Sequence, residues 1–286
     1  MDMKRRIHKR KKMSAPMIIV FILFIIYSIS ILAPFIWMFI NSFKSVQEYN
    51  AGNYFGLPKV IKFSNIVEVL KFEIHSQSIL SMFITSIILT VAGTVVNVFF
   101  SAVSAYVIAK YKFPGRKIIY SIAIITMIIP IVGTLPAMVR MMETFGLDDS
   151  MLGVLFLYSG CFGFNFVLLH SSFKSISWQY AEAAIMDGAN RFQIMFLVMF
   201  PIAKGPIVAV SVLEAIAIWN DYSTPFLFMK SNTTLAVGLE QLQTAAQGKY
   251  PLQFAATMIA VIPIVILFAI FQKTIIKNTV AGGLKG

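Results

Sequence analysis

Three groups of polar residues have types and spacing that could do chemistry. Glu182 and Asp187 precede Gly188 in a stretch from Tyr180 to Pro206 that is otherwise mostly apolar. Glu214, Ser211, Asn220 and Asp221 lie in or at the end of one apolar run, and Thr90, Thr94, Asn97, Ser101 and Ser104 lie in another. Polar groups inside such runs can replace the water hydrogen bonds of a polar solute. Gly282, Gly283 and Lys285 belong to a polar tail that closes the chain. Catalytic readings fall away. His8, His75 and His170 are scattered, with no partners at metal-ligand spacing. The one cysteine, Cys161, excludes an internal disulfide and a cysteine metal site. No glycine-rich loop ends in Lys-Ser or Lys-Thr, so the chain does not split ATP in the P-loop manner.

The elements that must position these residues follow from composition. Hydrophobic residues make up 58% of the 286, charged residues only 13%, and the mean hydropathy is +0.80. That composition excludes a soluble domain and predicts an all-α integral membrane protein crossing the bilayer several times. Six apolar runs predict six transmembrane helices, at about 17–40, 79–109, 118–142, 151–172, 201–222 and 254–271. The first run is too long for the apolar core of a signal peptide and precedes no cleavage site. The third contains Pro130, Gly133 and Pro136. The organisation is then a basic tail at 1–16, a membrane domain at 17–272 and a C-terminal tail at 273–286, with the longest loop at about 173–200.

Charge sets the orientation. With both termini cytosolic, 17 of the 24 Lys and Arg fall inside and 7 outside. This asymmetry obeys the positive-inside rule. It accounts for the net charge of +12 without a nucleic-acid partner and puts the 173–200 loop in the cytosol.

Within that loop two short helices meet. Tyr180 to Asp187 holds good helix formers, Gly188 is a natural C-terminal cap, and Asn190 can cap a second piece. There Phe192, Met195, Phe196 and Met199 fall at i, i+3, i+4 and i+7, one apolar face. Pro201 suits the first turn of the next span. An amphipathic helix on the lipid surface explains the apolar face and leaves Glu182, Asp187 and Gly188 without a role.

Glu182-Ala183-Ala184, then Asp187-Gly188-Ala189, then Pro201 resembles the EAA loop of binding-protein-dependent ABC importer permeases. Val198-Met199-Phe200-Pro201 stands where that family has Ile-x-Leu-Pro, and stays apolar. Ala105 to Lys117, AYVIAKYKFPGRK, is similar to the Ala-Tyr-x-x-Ala-Arg-Phe-x-Phe-Pro-Gly signature of sugar-importer permeases. Val280 to Gly286, VAGGLKG, resembles the Thr-x-Gly-x-x-Lys-Gly ending of the maltose-type members. Trp219-Asn220-Asp221 looks like their Trp-Asn-acid motif at the outer end of the fifth span.

The resemblance implies the type I ABC importer permease fold, in the bacterial plasma (inner) membrane. It implies no cofactor on this chain, with ATP and Mg on two partner ATPase subunits. The other implied partners are a second, homologous permease forming a heterodimer, an extracytoplasmic solute-binding protein, a sugar substrate and membrane lipid. Glu182, Ala183, Ala184, Asp187, Gly188, Ala189, Phe192 and Phe196 would dock the ATPase, and Gly282, Gly283 and Lys285 would reach its dimer interface. A non-sugar solute such as a glycerol phosphate ester stays open within this class.

A carboxylate near mid-bilayer costs about 2.5–3.5 kcal/mol on insertion scales, so Glu214 should face protein or water. Ser211, Glu214, Ile218 and Asp221 form a mostly polar stripe. Two readings stand for these residues and for Asn97, Ser101 and Asn220. They line the translocation path, or they make ordinary interhelical hydrogen bonds. An ion-coupled secondary transporter is the rival class. It predicts paired intramembrane charges and inverted repeats, and the spans hold one isolated mid-span carboxylate and no visible repeat.

Overall fold

The longest apolar runs form the longest helices. The computed structural model describes residues 15–128 and 133–283. The tail at 1–14, Pro130 and Lys285 lie outside them. The helix α1 (Ala15–Ser42) is followed by the short helices α2 (Val46–Asn50) and α3 (Ser64–Lys71). A two-residue hairpin, β1 (Glu73–Ile74) with β2 (Gln77–Ser78), leads into α4 (Ile79–Lys110). Then come α5 (Arg116–Ile128), α6 (Leu135–Thr144), α7 (Met151–Tyr158) and α8 (Phe164–Ser175). The loop holds α9 (Gln179–Met186), α10 (Arg191–Gln193), a π-helical turn at Ile194–Met199 and α11 (Phe200–Ile202). Finally α12 (Lys204–Trp219), α13 (Ser223–Phe228), α14 (Leu235–Ala245) and α15 (Tyr250–Gly283) complete the chain.

Among the described residues three helices are long and apolar enough to cross a membrane, at Pro16–Ser42, Ile79–Lys110 and Tyr250–Thr274. The expected fourth span, 151–172, is instead two helices, because Ser159 to Gly163 leaves helical geometry and Gly163 sits at φ +145°. The third, expected at 118–142, is helical at α5 and α6 and interrupted around Gly133 (φ +87°). The fifth begins at Lys204 and not at Pro201. Ala203 breaks the helix there, and the segments Arg191–Ile202 and Lys204–Trp219 cross at 78°.

α4 is the central post. It packs against α8, α12, α7 and α14. One apolar core, with Tyr106, Phe166, Phe173, Met195, Met199 and Val210, fills the loop end. A second, with Ile79, Met82, Leu235 and Ala256, fills the opposite end. Side chains knit that opposite end together. Gln77 donates to Ser231 O at 2.8 Å and accepts from Thr233 N at 3.0 Å. Ser86 Oγ on α4 accepts from Leu235 N at 2.8 Å, satisfying an N-terminal amide of α14 that Thr234 leaves uncapped. Asn65 donates to Ser42 O and Lys44 O, both at 2.8 Å, closing the end of α1.

Candidate functional site

Two places gather the sequence-predicted residues. The first is the turn at Gly188. α9 ends because Gly188 adopts φ +83°, a left-handed conformation that other residues enter at a cost. Ala189 N donates to Ala184 O and Gly188 N to Ile185 O, both at 2.9 Å, which satisfies the last carbonyls of α9. Two residues later a capping box restarts the chain. Gln193 N donates to Asn190 Oδ1 at 2.9 Å, and Asn190 N donates to Gln193 Oε1 at 2.8 Å. The result is a helix–glycine–helix corner whose backbone geometry is locally determined.

This corner is apolar inside and mixed outside. Ala181 and Met199 are fully buried and Met195 is buried, all in the core shared with Tyr106, Phe173 and Val210. Tyr106 meets Phe173 edge-on at 5.6 Å, and Phe173 meets Phe200 at the same distance. Lys110, the last residue of α4, donates to Ile176 O. Outward face Glu182, Ala183, Asp187 and Gly188, with Met186 87% and Phe192 73% exposed. Ala184 and Ala189 are half-buried. The expected single apolar face of Phe192, Met195, Phe196 and Met199 does not form. The methionines point into the core, while Phe192 and Phe196 stay exposed. The π-helical turn over Ile194–Met199 shifts the phase on which that expectation rested. It ends where Phe200 N reaches back to Met195 O, directly before Pro201, which has no N–H to give.

The second place is a pocket of about 340 Å³ where α4, α12 and the break before α8 meet. Asn97, Ser101 and Glu214 line it, joined by Asn165, Phe162 and Phe164. The Asn165 side-chain nitrogen donates to Glu214 Oε2 at 2.6 Å and to Asn97 Oδ1 at 2.9 Å. Asn97 in turn donates to Tyr158 O at 3.0 Å, a carbonyl set free where α7 ends. Tyr158 Oη donates to Asp221 Oδ2 at 2.7 Å, and Asp221 Oδ1 accepts from Thr224 N at 3.1 Å. One polar chain therefore runs from Glu214 to the start of α13. The lining residues include one carboxylate and no Lys, Arg or His.

The other predicted path residues stand apart from the pocket. Ser211 Oγ donates to Ile207 O at 2.9 Å within α12, and Asn220, which caps that helix, donates to Ile216 O at 2.8 Å. Ile218, on the same stripe, is buried against Leu89 and Val154. Asp221 joins through Tyr158. Sequence reasoning missed Asn165, Tyr158 and Phe162. The available signal was Gly160-Cys161-Phe162-Gly163 inside an apolar run, where two glycines three positions apart mark a broken helix. In the tail, Gly282 and Gly283 end α15.

The comparisons with known proteins cover most of this chain. A family model described as binding-protein-dependent transport system inner membrane component matches residues 97–280. The diacetylchitobiose uptake system permease protein NgcG of Streptomyces coelicolor is 26% identical, over 91% of this chain and 86% of that one. The arabinooligosaccharides transport system permease protein AraQ of Bacillus subtilis is 29% identical, over 92% and 94%. Among solved structures, a chain of a bacterial ABC transporter involved in the import of the acidic polysaccharide alginate superposes with a TM-score of 0.78. It is 28% identical, over 90% of this chain and 95% of that one.

Proposed function

This chain belongs to the family of binding-protein-dependent transport system inner membrane components, and from that membership we propose that it is the permease subunit of an ATP-driven importer of a carbohydrate. The relatives it matches along nine-tenths of its length carry oligosaccharide transport in their names. It is a transport subunit and not an enzyme. Six spans cross the membrane: α1, α4, the broken pairs α5 with α6 and α7 with α8, then α12 and α15. Both termini and the Gly188 corner lie in the cytosol, in keeping with the Lys and Arg asymmetry.

The observation that carries the coupling role is the corner itself. Two short helices lock at Gly188 and present Glu182, Asp187, Met186 and Phe192 outward, while Ala181, Met195 and Met199 tie the same element into the span ends. An apolar tip rimmed by carboxylates fits a cleft with basic groups on a separate ATPase subunit. ATP and Mg act there and not on this chain. Closure of two such ATPases would push the corner, and the shared core would pass the push to α4, α8 and α12. The tail, including Gly282, Gly283 and Lys285, would meet the ATPase dimer interface. A second permease completes the path, and a solute-binding protein delivers the sugar from outside.

On this reading Glu214, Asn97 and Ser101 border the path, and Ser211 and Asn220 serve packing. A pocket with amides, a hydroxyl, a carboxylate and no cation favours a hydroxyl-rich solute over a phosphate ester. The testing experiment is purification of the tagged chain from its own membranes in mild detergent. A second permease and a P-loop ATPase are expected to come with it. A chain that emerges alone would overturn the importer reading.

A further inference from the structure

We propose that the cleft between the end of α4 and the start of α5 binds the phosphate-bearing headgroup of an anionic phospholipid. The local sequence builds the cleft. α4 ends at Lys110, Pro114 disfavours helix at the residue before it, and Gly115 turns the chain at φ +84° before α5 starts at Arg116. The depression measures about 530 Å³ and is lined by Lys112, Phe113, Gly115, Arg116, Lys117 and Ile118. Three of those six side chains are cationic and none is acidic. Arg116 uses one N–H on Ala109 O at 3.4 Å, and a guanidinium has five to offer. A phosphodiester is the anion whose oxygens such a group of lysines and an arginine matches.

A second observation separates a lipid from a soluble anion. Ile118, at the rim of the cleft, begins a stripe with Ile122 and Ile125, at i, i+4 and i+7 of α5. All three are exposed. A soluble phosphate has no use for an apolar rail, whereas acyl chains leaving a seated headgroup would lie along it. Basic pockets at the ends of membrane helices hold anionic headgroups on the same electrostatic ground. The importer reading enters in naming the leaflet, the cytosolic one, and the complex used in the test.

The test uses the importer complex purified with its partners and stripped of loosely held lipid. Native mass spectrometry then counts phosphatidylglycerol and phosphatidylcholine taken up from added lipid. The complex is expected to hold one more phosphatidylglycerol per copy of this chain than a Lys112→Gln, Lys117→Gln variant holds. A Lys112→Arg, Lys117→Arg variant is expected to keep that lipid. Equal retention in wild type and the glutamine variant would overturn the proposal. So would equal uptake of phosphatidylcholine, or displacement of the bound lipid by inorganic phosphate. If the glutamine variant fails to assemble, a photoreactive phosphatidylglycerol on the wild-type complex decides. Adducts within 112–125 support the site, and adducts elsewhere refute it. Lipid is read here and not transport, so the result is independent of whether sugar import is established.

Discussion

The side-chain nitrogen of Asn165 stands 2.6 Å from Glu214 Oε2, joining a helix that restarts after Gly163 to α12 through a charge-assisted hydrogen bond. The same nitrogen reaches Asn97 on α4, so three elements meet at one amide. Asn165→Leu removes the shared donor and leaves a half-buried carboxylate unpaired. An unsatisfied polar group of this kind costs about 1–3 kcal/mol, so the assembled importer is expected to unfold at lower temperature and to transport less. Glu214→Gln keeps the shape and one acceptor. It is expected to preserve stability while lowering uptake. If uptake and melting temperature both match wild type, Glu214 has no part in the path.

Reversing the charge at the exposed Glu182 tests the corner. Glu182→Lys leaves the buried Ala181 side untouched, so the chain is expected to fold and reach the membrane. Sugar-stimulated ATP hydrolysis is expected to fall toward its unstimulated rate. Normal stimulation in membrane vesicles would count against docking at this residue.

Gly188 offers a backbone test. A left-handed conformation costs an L-residue roughly 1–2 kcal/mol, and a β-branched side chain suffers most. Gly188→Val is expected to weaken ATPase association measured by co-purification. Gly188→Asn is expected to be tolerated far better, because asparagine enters this region readily. Equal association of both variants with the ATPase would show that the φ of +83° is not what the interface needs.

At the opposite end, Asp149 accepts from Ser231 N at 2.8 Å and from the Ser231 hydroxyl. Hydrogen bonds from the Ser231 side chain first, then its backbone, hold the Asp149 carboxyl below its ordinary range. A carboxyl lowered in the folded state stabilises above its unfolded value, about 3.9. That contribution is lost as pH falls through the lowered folded value. The wild type is therefore expected to lose part of its thermal stability on acidification below about pH 4. Asp149→Asn is expected to start lower at neutral pH and to show a shallower acid limb. Parallel melting curves would rule the tether out.

How far the sequence can be read depends on the range of the forces involved. Gly188 and Asn190 announce the corner because caps and left-handed glycines act over a few residues. The long apolar runs announce α1, α4 and α15 for a similar reason, since burial in lipid needs only a run of apolar residues. The interruption of the fourth run at Gly163 was harder to read, because an apolar run looks the same whether its helix continues or breaks. The π-helical turn before Pro201 carried no composition signal, and it split Phe192 and Phe196 from Met195 and Met199.

Composition, charge asymmetry and local caps by themselves determined that this is a helical membrane protein with a built corner at Gly188. Those properties are sums over neighbouring residues. Only the tertiary structure decided that Asn97, Asn165 and Glu214 share one pocket, while Ser211 and Asn220 bond to carbonyls of α12. Asn97 and Asn165 are 68 positions apart and Asn165 and Glu214 are 49 apart. Which of many polar side chains finds which partner depends on how α4, α8 and α12 pack, a choice made by complementary side-chain surfaces across the whole bundle.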